Sequence, residues 1–216
     1  GTGTHTVLSG LRQYSDELSL TAIVSMADSG GSTGRLRDEF GQLPAGDVRN
    51  ALTALAAEAG SAAVMRQLFL YRFSRGEGLS GHNFGNLFLT ALTDILGSEV
   101  AAIEAAARIL RVEGEVIPVT IDDTHLKAVY ADGVVIHGEH GIDEWQEPAR
   151  RAVRITTLTL EPTAALYEKA KQALLQADLI ILGPGDLYTS VLANCVVTGF
   201  RETLQRAPAP VVYVSN

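Results

Sequence analysis

Two short apolar runs in this chain lead straight into glycine. Residues 20–27 (LTAIVSMA) run into Asp28-Ser29-Gly30-Gly31, and residues 178–182 (DLIIL) run into Gly183-Pro184-Gly185. A brief, nearly continuous apolar run reads as a strand buried on both faces, which is the habit of a parallel sheet. Segments with three- and four-residue apolar spacing lie between them. Strand, small-residue loop, helix and strand is the rhythm of an α/β fold with a doubly wound, mainly parallel sheet.

Apolar spacing predicts helices over 5–14, 62–73, 84–96, 100–110, 163–176 and about 190–205, with another entered through Asp47 as its N-cap. Residues 28–46 and 74–83 are polar and glycine-bearing and read as loops. Short strands are expected at 116–120, 125–130, 134–137, 153–160 and 211–214, with a turn at Asp132-Gly133. The expectation is one domain over 1–216, with helical additions and a small β-rich excursion inserted at about 114–160. Gly1-Thr2-Gly3-Thr4 forms a glycine turn with no strand before it, and Asn216 stops where a strand should deliver a loop. Both ends are therefore expected to fall short of the natural protein's.

Composition narrows the function. At 46% hydrophobic and 19% charged residues the chain is an ordinary globular one, not a disordered one. Its longest unbroken apolar run is four residues, far below the about 20 of a membrane span. No basic-then-apolar export segment opens it, so the cytoplasm is the expected compartment. The net charge of −8, with no Lys or Arg cluster, makes duplex nucleic acid a poor partner. The single cysteine, Cys195, builds neither a disulfide nor a cysteine metal site, and its apolar neighbours point to an inert buried thiol. No phosphate-binding G-x-x-x-x-G-K-[ST], serine elbow or His/Glu zinc motif is present.

Small-residue segments carry the chemistry instead. Gly1, Thr2, Gly3 and Thr4 open a helix, where free N–H groups attract anions, and His5 lies beside them. Asp28, 25 residues after Gly3, stands where a dinucleotide fold places its ribose-binding acid. Gly30, Gly31, Ser32, Gly34 and Arg35 could wrap and neutralise an oxyanion, or form a plain surface loop. Asp47, Arg49 and Asn50 cluster at a helix start; Asp47 reads as a cap, a Mg²⁺ ligand or a proton acceptor. His82, Asn83 and Asn86 sit between glycines, with His82 and Asn86 on one face if helical. Gly183, Pro184, Gly185, Tyr188, Thr189 and Ser190 follow a buried strand, where ligands of α/β folds bind. His125, His137 and His140 read as surface residues. Together these segments point to a phosphate-rich small-molecule ligand at one sheet edge.

The order of these segments resembles the family joining YvcK-type gluconeogenesis factors with CofD, the 2-phospho-L-lactate transferase. The resemblance rests on GTGT at Gly1, ADSGGSTGRLR from Ala27, LPAGDVRNAL from Leu43, GHNFGNL from Gly81 and GPGDLYTS from Gly183. It is closer to the YvcK branch, through SGGSTGRLR, YRF and GHNFGN. The resemblance implies a Rossmann-like sheet and a nucleotide held by the first glycine segment and the GPG loop. On the YvcK side it implies UDP-sugar binding, a link to carbon metabolism and cell-wall growth, and no settled reaction. On the CofD side it implies Mg²⁺-dependent transfer of a phospholactyl group from a guanosine diphosphate carrier to a deazaflavin, with Asp47 matching the acid that touches the deazaflavin.

Two positions depart from the family pattern. Asp28 is followed by Ser29 where a second acid is usual, and Asp186 stands where Ser usually follows GPG. One acid fewer weakens a divalent-metal site, and one more beside a phosphate needs an offsetting cation. Mg²⁺ thus enters only under the transferase reading, and a binder is expected to need little of it. An NAD-dependent enzyme is a third reading, short of a His, Tyr or Lys to handle the proton. A homo-oligomer is compatible with all three.

Overall fold

The structure is a computed structural model and describes residues 2–143 and 152–215, with the side chain of Thr2 left aside. Its elements in chain order begin with α1 (Thr2–Leu11), a 3₁₀ turn (Arg12–Tyr14), β1 (Thr21–Val24), α2 (Gly31–Phe40), α3 (Gly46–Leu55), α4 (Gly60–Leu70), α5 (Phe84–Leu96) and α6 (Glu99–Leu110). There follow β2 (Glu115–Pro118), β3 (His125–Tyr130), β4 (Val135–His137), α7 (Glu139–Asp143), β5 (Ile155–Glu161), α8 (Glu168–Gln176) and β6 (Ile180–Leu182). A π-helical turn (Leu187–Val191), α9 (Leu192–Cys195), α10 (Phe200–Arg206) and β7 (Val211–Tyr213) complete it.

The class is α/β of the Rossmann-like kind. β1 runs parallel to β2 with Thr21 opposite Glu115, and β6 runs parallel to β7 with Ile180 opposite Val211. The β-rich excursion is a three-stranded antiparallel sheet ordered β4-β3-β5. Among the described residues no helix is long and apolar enough to cross a membrane.

The core is built around α3. Val48, Ala51, Leu52, Ala54 and Leu55 are all buried, and α1, α4, α5, α6, β1 and β2 pack on it. A helix buried on every side has no solvent face for polar residues, so its charged groups gather at its start. That rule holds Asp47, Arg49 and Asn50 in the first turn, at one end of the best-packed element.

Three local expectations need correcting. Residues 31–40 form α2, not a loop. The stretch GSTGRLRDEF has little apolar periodicity, and its buried face is Ser32, Thr33, Gly34, Leu36 and Arg37. Hydrogen bonds rather than oil hold that face. The Ser32 hydroxyl lies 3.3 Å from His82 Nδ1 and accepts from the Asn83 N–H, while Asn86 Nδ2 donates to Thr33 Oγ1 at 3.2 Å. Second, Asp47 is not the cap of α3. Ala45 holds that position, and Asp47 sits inside the first turn. Third, the helix expected at about 190–205 is broken into a π-turn, α9 and α10, with Gly199 at φ +91° between the last two.

Candidate functional site

α1 begins at Thr2, so Gly3 and Thr4 lie within its first turn; Gly1 falls outside the described residues. Thr4 Oγ1 donates to Pro184 O at 3.2 Å, and a Cβ on Gly3 would stand 2.9 Å from that carbonyl oxygen. Glycine at position 3 is therefore what lets the helix start close on the GPG loop. His5 Nδ1 lies 3.2 Å from Asn50 O, joining the same helix start to α3. The ends of β1 and β6 thus meet the starts of α1 and α3, at the carboxyl ends of the strands where α/β folds bind ligands.

Between them lies a cavity of about 460 Å³, lined by Gly3, Asp28, Asp47, Asn50, Glu139, Asp143, Gly185, Asp186, Thr189 and Ser190. Among the described residues, five of these ten carry carboxyl groups and none is Lys or Arg. The sequence pointed to Gly3, Asp28, Asp47, Asn50, Gly185, Thr189 and Ser190. Glu139 and Asp143 come from α7, which it did not foresee. The signal available there was a pair of acids four apart directly after Gly138, a spacing that puts both on one helical face.

Glu139 reaches the backbone of Ser29 from α7. Its Oε2 accepts from the Ser29 N–H at 3.5 Å, and the His140 N–H donates to Ser29 Oγ at 3.0 Å. Asp28 accepts from the Gly30 N–H at 3.0 Å and packs against Gly46 and Thr33. Burial raises the Asp28 carboxyl above its usual range against the pull of the Gly30 N–H, and Asp47 raises it further. Glu139 is pushed up to about 8, first by burial and then by Asp28 and Asp143. Like charges this close resist joint ionisation, so the pair wants a proton or a cation between them.

Asp186 proves to be a cap. Its Oδ1 accepts from the N–H groups of Tyr188 and Thr189 at 2.9 and 3.1 Å, which starts the π-turn. The Thr189 hydroxyl bridges it to α7, 2.8 Å from Asp143 Oδ1 and 3.0 Å from Asp186 Oδ1. Tyr188 is half-buried at the start of the π-turn, and Gly183 takes φ +78° ahead of Pro184.

Arg49 donates from Nη2 to Asn50 Oδ1 at 2.7 Å. Burial lowers its pKa, with Arg72 adding to that and Asp28 and Asp47 opposing it. With Oδ1 taken, Asn50 has its Nδ2 left to donate into the cavity.

The remaining sequence candidates stand elsewhere. Gly30 caps α2 and donates its N–H to Asp28, and Gly31, Ser32 and Gly34 form the first turn of that helix. Arg35 is exposed, on Ser80 O. His82, Asn83 and Asn86 are 7%, 1% and 2% exposed and clamp α2 to α5, with Asn83 Oδ1 capping α5 through the Asn86 N–H. His82 and Asn86 share no helical face, because His82 precedes that cap. Burial and then Arg35 lower the His82 pKa. Cys195 is half-buried, and burial raises its thiol.

The donor set suits a divalent cation of the hard kind, which takes one or two carboxylates, waters and ligand phosphate oxygens. Among the described residues no three His, Cys, Asp or Glu converge into a ready-made metal cage.

The family described as 2-phospho-L-lactate transferase CofD matches residues 1–216. A relative from Nostoc sp. is 46% identical over 216 residues, and this chain spans 45% of its length. A protein named gluconeogenesis factor from Bacillus subtilis is 39% identical, with the whole of this chain covering 65% of it. A crystal structure of a Bacillus halodurans protein superposes with a TM-score of 0.90 at 39% identity, over all of this chain and 66% of that one. The chain thus spans about half to two thirds of the length of the relatives it matches.

Proposed function

This chain belongs to the 2-phospho-L-lactate transferase CofD family and stands in it with the gluconeogenesis factors, and from that premise we propose that it binds a nucleotide sugar of the UDP-sugar class. In this reading it works as a regulator of carbon metabolism and cell-wall growth in the cytoplasm. The observation that supports it best is the cavity of about 460 Å³ at the carboxyl ends of β1 and β6. Ligand sites of this kind run from roughly 300 to 1,000 Å³.

The cavity's charge changes the expectation about metal. Among the described residues a diphosphate meets five acidic side chains and no lining cation, which favours its arrival with Mg²⁺. Asp28 and Glu139 would hold that ion, which neutralises diphosphate charge when bound. Asn50, Thr189 and Ser190 would then donate to ligand oxygens. The test is a thermal-denaturation panel of UDP-N-acetylglucosamine, GDP, GTP and NAD, each with and without Mg²⁺. The expected result is a shift with the UDP-sugar only when Mg²⁺ is present, worth about 2.7 kcal/mol at 100 times its Kd. A shift with guanosine nucleotides and none with the UDP-sugar would overturn the reading.

A CofD-like transferase is the second reading, favoured by Asp47 lining the cavity beside Asn50. There Asp47 would accept the proton of an acceptor hydroxyl as that oxygen bonds to phosphorus and the guanosine phosphate leaves. Asp47→Asn is then expected to cut transfer by roughly a hundredfold, the typical worth of a general base, while sparing nucleotide affinity. Full turnover by the variant would remove Asp47 from the reaction.

A further inference from the structure

Arg49 is a half-buried cation with little to hold it. It leaves the first turn of α3, and its stem lies against the start of α5, where a Cβ on Gly85 would stand 3.0 Å from Arg49 Cγ and Cδ. Glycine at 85 is thus what leaves room for the side chain. Among the described residues the guanidinium makes one hydrogen bond, from Nη2 to Asn50 Oδ1 at 2.7 Å, and its Nε is buried without a partner. An apolar chain would fill the space beside Gly85 better, because burying a charge with so few bonds is unfavourable.

Asn50 turns that single bond into a direction. Its backbone is fixed, since its carbonyl accepts from Thr53 Oγ1 at 3.0 Å and lies 3.2 Å from His5 Nδ1. Its carboxamide carries an acceptor at one end and two donors at the other, and arginine donates but never accepts. The bond from Arg49 therefore claims Oδ1. Asn50 lines the cavity and Arg49 does not, so Nδ2 is the end left to face it. Among the described residues no group bonds Nδ2. A neutral donor also suits this wall. Lys or Arg among five acids would be captured by them, whereas a carboxamide stays available to a ligand oxygen.

We propose that Arg49 is a positioning residue, which locks the Asn50 carboxamide with its NH₂ toward the cavity, so that the site selects a ligand presenting an acceptor oxygen there. For the identity of that ligand the proposal rests on the nucleotide-sugar reading, in which phosphoryl, hydroxyl and uracil oxygens are acceptors of this kind. Gly85 of the GHNFGNL segment serves the cavity indirectly, by housing Arg49.

Two measurements on the whole chain test it. Nitrogen-15 relaxation of the Asn50 side-chain NH₂, assigned by its loss in Asn50→Ala, needs no ligand. An order parameter near the roughly 0.85 of rigid backbone is expected in wild type and Arg49→Lys. It is expected to fall below about 0.6 in Arg49→Met, which keeps a stem against Gly85 but cannot donate. Calorimetric titration with UDP-N-acetylglucosamine and Mg²⁺ reads the consequence. Arg49→Met is expected to bind about tenfold more weakly than wild type, with Arg49→Lys between them. In an Asn50→Ala background the same change is expected to do nothing further, since Arg49 acts through that amide alone. Arg49→Met removes a half-buried charge and is expected to melt no lower than wild type, which separates positioning from packing. A rigid Asn50 amide in Arg49→Met, an unchanged affinity, or an equal loss in the Asn50→Ala background overturns the proposal. No binding of the UDP-sugar by wild type overturns the nucleotide-sugar reading instead, and the relaxation data still decide whether Arg49 fixes Asn50.

Discussion

Gly46→Ala is expected to cost about 3 kcal/mol of stability, the upper end of what overpacking does, and to abolish Mg²⁺-dependent ligand binding by the cavity. Helix propensity alone argues the other way, since alanine in place of a helical glycine gains about 1 kcal/mol. The backbone at Gly46 is also ordinary, with no positive φ to strain an alanine. The whole effect comes from one methyl group. A Cβ there would overlap the Asp28 carboxylate and stand 2.8 Å from Thr33 Oγ1. Asp28 would have to leave the Gly30 N–H, or α3 would have to shift from β1. Urea denaturation of the variant checks this, and a loss under about 1 kcal/mol would show that Asp28 is free to swing aside.

Glu139→Gln is expected to stabilise the protein at high pH and leave it unchanged at low pH. The Glu139 carboxyl moves from an ordinary value of 4.5 to about 8 in the folded chain, chiefly through burial. Between those values the folded state holds a proton that the unfolded chain has released. Stability therefore falls as pH rises through that window, and the loss is complete above the folded value. Glutamine mimics the protonated acid and has no such dependence. The gap in melting temperature between variant and wild type should open from nothing near about pH 4 to its full size near about pH 9. Parallel profiles would mean that Glu139 is not held against Asp28. Mg²⁺ should narrow the gap at high pH, because a cation shared by the two acids removes the penalty that glutamine avoids.

How much of this was legible beforehand depends on where each residue finds its partners. α5 and β3 fall where apolar spacing put them, at 84–96 and 125–130. Their patterns are set by neighbours three, four or two positions away, and those lie in the sequence window itself. α2 was invisible by the same standard. Its buried face is polar and is satisfied by the Asn83 N–H and Asn86, 51 and 53 residues distant. No local period records such a bond.

The candidate site divides along the same line. The glycines at 3 and 185, the acids at 28 and 47 and the hydroxyls at 189 and 190 announce themselves, because small residues and acids at helix starts and strand ends are local signatures of close backbone approach to a ligand. So the chain by itself determined its α/β class, its family and several of the helix starts and strand ends that meet at the cavity. Tertiary structure alone decided the sign of the cavity. It brought Glu139 to Ser29 across 110 residues, tied Asp143 to Thr189 across 46, and set Arg35 on the Ser80 carbonyl. Electrostatics acts through space, whereas a sequence records only order, and five acids scattered along a chain become one field only when the fold gathers them.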